Sequence, residues 1–465
     1  MIVLGRENIP LLSKLFIWSI LLEPLLYFTI GGRYSFGVTL SFSRILQMLV
    51  VLIWLLDIII KRVDFNLPNP FHKNNIYYTY FVLYSLVALL FGIYYGAFIL
   101  ETKSLYSESE YNSNNTGYFS FLTSPSFRPF FEYFIYLYYF IYFAAFQRYF
   151  IKNKATLEYF FKIFIITFSF SLFIGSLDFL LSFYNIDLVT RFLYDSTFIP
   201  NRFHSLAGEP RDAFIYLVFG ALVLSLRNFW IGNKVFPYKL LSIIIICIIL
   251  TQSASGVVGA LIAGGLVSFY LFFKALSLKR ILNFFFYITL LALVLFALYE
   301  NSTRLQAYGE ALSILYDSLS KQDKLPLILN GQMNDIFPMW TRFKEIVSLN
   351  FYPLLIGTGF GSASVVTNNL AIGSIIESGE ILNPHSQIVR LIYESGIIGF
   401  GIFILAFLKP IERLSLNQEN TERLIIMILI MIGCFMGHRS STLFIFFGLM
   451  VSVLNFKNLE RESKQ

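Results

Sequence analysis

Charged residues make up only 14% of this 465-residue chain. A soluble globular domain usually carries about a quarter, so the sequence lacks the charge needed to solvate a globular surface of this size. Cysteine is rarer still. Cys247 and Cys434 are the two in the chain and both lie inside apolar runs, which excludes a disulfide framework and a zinc site built on thiolates and leaves two small buried apolar residues. A contiguous basic arm is also missing. The net charge of +7 comes from small groups of Lys and Arg between apolar runs, so it reports topology and not a nucleic-acid partner. No small-residue cleavage site follows the first apolar stretch, which is therefore expected to remain as a helix. No internal repeat is visible.

What is present in excess is apolar sequence. Hydrophobic residues form 57% of the chain, and mean hydropathy is +0.68. A membrane-spanning helix needs about 20 mostly apolar residues, and runs of that kind recur: Leu11–Ile30, Leu40–Ile60, Ile76–Leu100 and Pro129–Phe150 are the first four. The full reading gives twelve spans, at 10–30, 40–60, 76–100, 129–150, 157–184, 211–229, 237–252, 255–273, 281–299, 386–408, 424–437 and 441–456. The expected fold class is therefore an all-α polytopic membrane protein. Of the abundant aromatics, 53 Phe and 29 Tyr, part belongs in interfacial belts.

With a cytoplasmic N-terminus, alternate connections each carry three basic residues, such as Arg148, Lys152 and Lys154, or Lys409, Arg413 and Arg423. That regularity follows the positive-inside rule and places both termini inside. The outer connections are then 101–128, 185–210 and 301–385. The chain divides into helices one to nine within 1–300, a cap at 301–385, three more helices within 386–456 and a cytoplasmic tail, 457–465. A connection of 85 residues is too long for a simple link, and helix-like pieces at 303–319 and 338–349 make it a folded, partly helical extracytoplasmic cap. Two short runs, 237–252 and 424–437, each meet the next at a polar break, Thr251–Gly256 and Gly437–Ser441. Such breaks mark either a transporter site or tight hairpins, and their outside location favours hairpins.

Two stretches carry candidate chemistry. In the first, Asn383-Pro384-His385-Ser386-Gln387 leads into a helix containing Glu394-Ser395-Gly396 and Gly399. At 100° per residue, His385, Gly396 and Gly399 share a helical face. The glycines would let a neighbouring helix approach and hold the imidazole at the outer rim, where its pKa suits it to accept a proton from a sugar hydroxyl. The plainer alternative is a rim residue bonded to the loop. In the second, Arg202 and Gly208-Glu209-Pro210-Arg211 open the sixth span. Pro210 suits a first helical position, whereas Arg211 sets a cation where the helix dipole favours anions. A diphosphate matches paired guanidinium forks; pairing of Arg211 with Glu209 or Asp212 is the alternative. Arg304, Arg342, His438 and Arg439 also fall outside and could join an anion site. Glu23 and Asp57 lie within apolar runs and need partners.

Taken together, Tyr352-Pro353-Leu354-Leu355-Ile356-Gly357-Thr358-Gly359-Phe360-Gly361, His385-Ser386-Gln387 and Glu394-Ser395-Gly396-Ile397-Ile398-Gly399 resemble the signature region of the O-antigen ligase and polymerase superfamily, integral-membrane glycosyltransferases of the GT-C type. The resemblance covers about fifty residues closely, and the span number and long late outside loop extend it along most of the chain. It implies a polyprenyl-diphosphate glycan, such as an undecaprenyl-diphosphate-linked oligosaccharide, as donor. An acceptor sugar hydroxyl attacks the anomeric carbon and the lipid diphosphate leaves, with no metal or other cofactor. It implies that His385 activates the acceptor and that Arg211, Arg202, Arg342, Arg304 and Arg439, with Glu209, engage the diphosphate-linked substrate. Glu394, Gly396 and Gly399 support the site. Thr251-Gln252-Ser253-Ala254-Ser255-Gly256 lacks the arginine of the ligase branch, and the Arg202 to Arg211 stretch looks more like the outer loop of polysaccharide polymerases. The expectation is a polymerase of lipid-linked repeats in a bacterial inner membrane, alongside membrane lipids and a chain-length regulator protein as a further partner. A ligase acting on a lipid A core or another acceptor, and a flippase or other twelve-helix transporter, are the alternatives.

Overall fold

The computed structural model describes residues 9–23, 41–61, 76–99, 128–151, 153–186, 188–189, 202–207, 209–232, 238–274, 289, 306, 351–360, 387–414, 417–437 and 439–463. Among them the chain is helical and contains no β-strand. Helices α1 (Leu11–Leu21), α2 (Phe42–Lys61) and α3 (Ile76–Ile99) are followed by α4 (Arg128–Tyr138), which continues through a π-helical stretch, Tyr139–Phe146, into a last turn, Gln147–Phe150. Then come α5 (Lys154–Ser182), a 3-10 turn at Ser205–Ala207, α6 (Pro210–Ile231), α7 (Tyr238–Leu250) and α8 (Ala254–Lys274). The chain closes with the short α9 (Tyr352–Ile356), then α10 (Gln387–Leu414), α11 (Gln418–Gly437) and α12 (Thr442–Glu462).

Six of these helices are long and apolar enough to cross a membrane: α2, α5, α6, α10, α11 and α12. Shorter apolar helices lie in α1, α3, the α4 unit, α7 and α8. At 1.5 Å per residue, the 29 residues of α5 extend about 44 Å, more than a hydrocarbon core is thick. Large apolar side chains face outward on the perimeter, among them Ile59 and Ile60 on α2, Phe173 and Leu180 on α5 and Phe269 on α8. Exposed apolar surface of that extent is stable against lipid, not water. Apart from the single positions 289 and 306, the expected span at 281–299 and the cap piece at 303–319 lie outside the described residues, as does the cap piece at 338–349.

Inside, aromatic rings supply much of the packing. Phe403 of α10 stacks on Phe435 of α11 at 5.5 Å and meets Phe81 of α3 edge-on at 5.1 Å. Phe407 packs edge-on against Phe444 and Phe447 of α12. Where rings are absent, small residues bring backbones together: the Cα of Cys434 lies 3.2 Å from the position a Cβ would take on Gly259. Both cysteines are free and buried.

The helix ends sort into two sets. At one end Lys154 of α5 pairs with Glu460 of α12 at 3.2 Å, and Lys274 of α8 with Glu422 of α11 at 3.3 Å. Arg413 lies over the Tyr77 ring, and Lys457 over Phe229. The opposite end gathers the end of α1 and the starts of α2, α4, α6, α10 and α12, and it carries the buried charges.

Candidate functional site

Four ionisable side chains meet where α4, α10 and the α11–α12 connection converge. Arg390, on the first turn of α10, reaches Glu132 of α4 at 2.9 Å through Nη2 and Glu394, one turn along its own helix, at 3.2 Å through Nε. Arg439, in the connection, pairs with the same Oε2 of Glu132. Arg390, Glu132 and Glu394 are at most 1% exposed; Arg439 is 19% exposed. Two guanidinium groups and two carboxylates leave the group neutral, as burial of charge requires. Burial works against the Arg439 charge, but the Glu132 carboxylate together with Tyr139 and Tyr136 outweighs it and holds the guanidinium above its ordinary pKa.

A second charged group adjoins the first through the same connection. Glu23, 1% exposed at the end of α1, pairs with Arg44 of α2 at 2.7 Å. It accepts hydrogen bonds from the Ser441 hydroxyl at 2.6 Å and the Gln47 amide at 2.7 Å. The Arg44 guanidinium lies over the Tyr138 ring. Two residues of one connection, Arg439 and Ser441, thus engage two buried carboxylates on different helices. Beside them a small cleft opens, lined by Glu23, Asp212, Ile215, Tyr216 and Ser440 to Thr442. This supplies the partners that Glu23 needs. Asp57 is half-buried on α2.

The glycine-rich turn after α9 docks onto α10 at a break in that helix. Gly396 has φ 65° and ψ −177° inside α10, which frees the carbonyls ahead of it. The Thr358 amide donates to the Tyr393 carbonyl at 2.8 Å and the Gly359 amide to the Glu394 carbonyl at 3.0 Å. The Thr358 hydroxyl also donates to the Tyr393 carbonyl, at 2.9 Å. The Tyr84 hydroxyl of α3 closes the joint on the Ser395 carbonyl at 2.9 Å. A Cβ on Gly357 would run into the Glu394 carbonyl, and one on Gly396 into that of Leu355. Both glycines have positive φ, 90° and 65°. Phe360, at the end of the turn, packs edge-on against Tyr136 at 5.3 Å, and the buried Gln387 donates its amide to the Tyr136 hydroxyl. Tyr136 lies one helical turn from Glu132.

This geometry corrects the expectation that Gly396 and Gly399 share a continuous helical face. The described part of the helix, from Gln387 onward, is broken at Gly396, so a rotation of 100° per residue does not carry from Gly396 to Gly399. Gly399 instead adjoins the Tyr84 ring. His385, Arg304 and Arg342 lie outside the described residues, as do Gly208 and His438.

The remaining expected site residues are engaged within the protein. Arg211 pairs with Glu209 at 2.7 Å and lies 3.9 Å from Asp212, the alternative its sequence position left open. Arg202 donates to the Thr251 carbonyl at 3.1 Å and the Gln252 carbonyl at 2.8 Å, so it caps the C-terminus of α7. The break after α7 is a short connection in which the Ser253 hydroxyl accepts from the Gly256 amide at 3.1 Å, starting α8. Arg439 and Glu394 come together through Glu132 and Arg390. Sequence reading passed over Glu132, Arg390 and Arg44, although an ionisable residue in or beside an apolar run is itself a signal. Among the described residues no cluster of His, Cys, Asp and Glu is suited to a metal ion.

Helices of this length and composition, around a charged seam at one end of the bundle, define an α-helical membrane protein. No family model, curated protein or solved structure matches the chain.

Proposed function

We propose that this protein is a polysaccharide polymerase with about twelve membrane spans and a GT-C-like architecture. It joins polyprenyl-diphosphate-linked oligosaccharide repeats at the outer face of a bacterial cytoplasmic membrane. The observation that carries this reading is the convergence of three sequence pieces on one structural joint. The Gly357 to Phe360 turn, Gln387 and the Glu394 to Gly396 break all meet around Tyr136 and Tyr84. These are the pieces on which the superfamily resemblance rests. Gln387, two residues after His385, donates to Tyr136, which lies one helical turn from Glu132. In this reading His385 receives the proton of the acceptor hydroxyl as that oxygen attacks the donor's anomeric carbon, and the lipid diphosphate departs toward nearby guanidinium groups. Arg439 and Arg211, both at the charged end of the bundle, are among the described arginines there that are partly open to solvent and that such a leaving group could reach.

The test uses purified protein in nanodiscs with a polyprenyl-diphosphate oligosaccharide repeat as its sole substrate, and products resolved by size. A ladder of longer lipid-linked glycans is expected, and His385→Ala is expected to abolish it without loss of folded protein. Transfer that requires a lipid A core or other added acceptor would replace the polymerase with a ligase. Silence with a verified cognate repeat under both conditions would turn the reading toward a flippase or other transporter.

A further inference from the structure

Glu132 is held by two arginines that differ in how firmly they are placed. Arg390 is 1% exposed and gripped by two carboxylates, Glu132 at 2.9 Å and Glu394 at 3.2 Å. Arg439 lies in the connection between α11 and α12, is 19% exposed, and among the described residues pairs with Glu132. Its neighbours Ser440, Ser441 and Thr442 line the small cleft, and its own partly exposed side chain sets Arg439 between a buried carboxylate and solvent. If Arg439 turned toward an incoming anion, Glu132 would keep Arg390 and Arg390 would keep Glu394. Arg390 would still touch both carboxylates, and the one net negative charge left on the buried group would draw Arg439 back when no anion holds it. The guanidinium fork suits a phosphate as well as it suits a carboxylate.

We propose that Arg439 is an exchangeable anion-binding residue, with Glu132 as its resident counter-ion until a phosphate-bearing ligand takes the carboxylate's place. Glu132 is thus a positioning residue: it competes with the ligand for Arg439 and keeps the arginine folded against α4 when the site is empty. The inference rests on the functional reading only in taking the diphosphate of a lipid-linked glycan as the ligand. An anionic lipid headgroup offers the same phosphate chemistry.

The test measures binding and not turnover. The full chain in zwitterionic nanodiscs is titrated with inorganic pyrophosphate. Glu132→Gln is expected to tighten pyrophosphate binding about tenfold by removing a charged competitor, and Arg439→Gln is expected to abolish it. Should Glu132→Gln fail to fold, difference infrared spectra of the wild-type protein carry the test. Pyrophosphate should shift a carboxylate stretching band, and the shift should be missing in Arg439→Gln. A shift produced by phosphatidylglycerol nanodiscs and not by pyrophosphate would support the exchange and assign it to a headgroup. No shift with either ligand, or pyrophosphate binding unchanged in Arg439→Gln, would overturn it. Failure to form a glycan ladder would leave these readouts intact, so the two ideas fail separately.

Discussion

A charge buried in a helical bundle is held in place by its partners, and a glycine by the backbone that only it allows. Gly396 illustrates the second case. Its φ of 65° and ψ of −177° fall in a region open essentially to glycine, where other residues are strained by about 1–3 kcal/mol, and the Leu355 carbonyl occupies the space of a side chain. Gly396→Ala is therefore expected to lower unfolding stability by about 2 kcal/mol or more. Gly401→Ala, at a helical glycine with open space around it, should be neutral or slightly stabilising. Equilibrium unfolding in mixed micelles measures both, and equal stability of the two variants would refute the docked turn. The sequence makes Gly396 visible as part of a motif, but its periodicity places the residue on a helical face. The amides of Thr358 and Gly359, with the Thr358 and Tyr84 hydroxyls, arrive from other parts of the chain and stabilise the carbonyls that the break releases.

Among the elements, α8 and α11 depend on small residues for their close approach. A Cβ on Gly433 would meet the backbone of Ala263, as one on Gly259 would approach Cys434. Without a hydrophobic driving force in lipid, such backbone proximity is what packing can gain. Gly433→Leu is expected to force the pair apart and cost about 1–3 kcal/mol. A spin-label pair placed on the two helices should report a longer separation in the variant, and an unchanged distance would show that the contact does not set the spacing. The existence of these helices is legible in the sequence because lipid demands long apolar runs whose backbone bonds are satisfied internally. Their pairings are not, because Gly259, Ala263 and Gly433 are small residues among many small residues. The polar break at Thr251–Gly256 is legible for a local reason: Ser253 caps α8 at short range.

At the scale of the molecule, described basic residues that alternate along the sequence meet at one end of the bundle. Lys154 pairs with Glu460, and Lys274 with Glu422. The opposite end holds Glu23, Glu132 and their arginines. If positive-inside governs orientation, the end bearing Lys154 is cytoplasmic and the charged seam faces out. The two ends of α5 test this. Tyr184→Cys, at an exposed position just past the helix, should label in intact cells with a membrane-impermeant maleimide; Lys154→Cys should label only after permeabilisation. Cys247 and Cys434 are buried and contribute little background. The reverse pattern would invert the protein and remove the outward site.

The sequence by itself determined that this chain forms apolar helices and where most of them lie, because helix formation in lipid depends on local composition and length. It also marked Glu23 as a charge in need of a partner and singled out the segments around Gly357, Gln387 and Gly396. Tertiary structure alone decided who answers them. Arg44 and Ser441 meet Glu23; Arg390 and Arg439 share Glu132; Arg211 turns to Glu209; Arg202 caps α7. The reason is range: a hydrophobic run is a property of neighbouring residues, whereas the ion pairs of Glu132 with Arg390 and Arg439 join residues far apart in the chain and exist only once helices have packed.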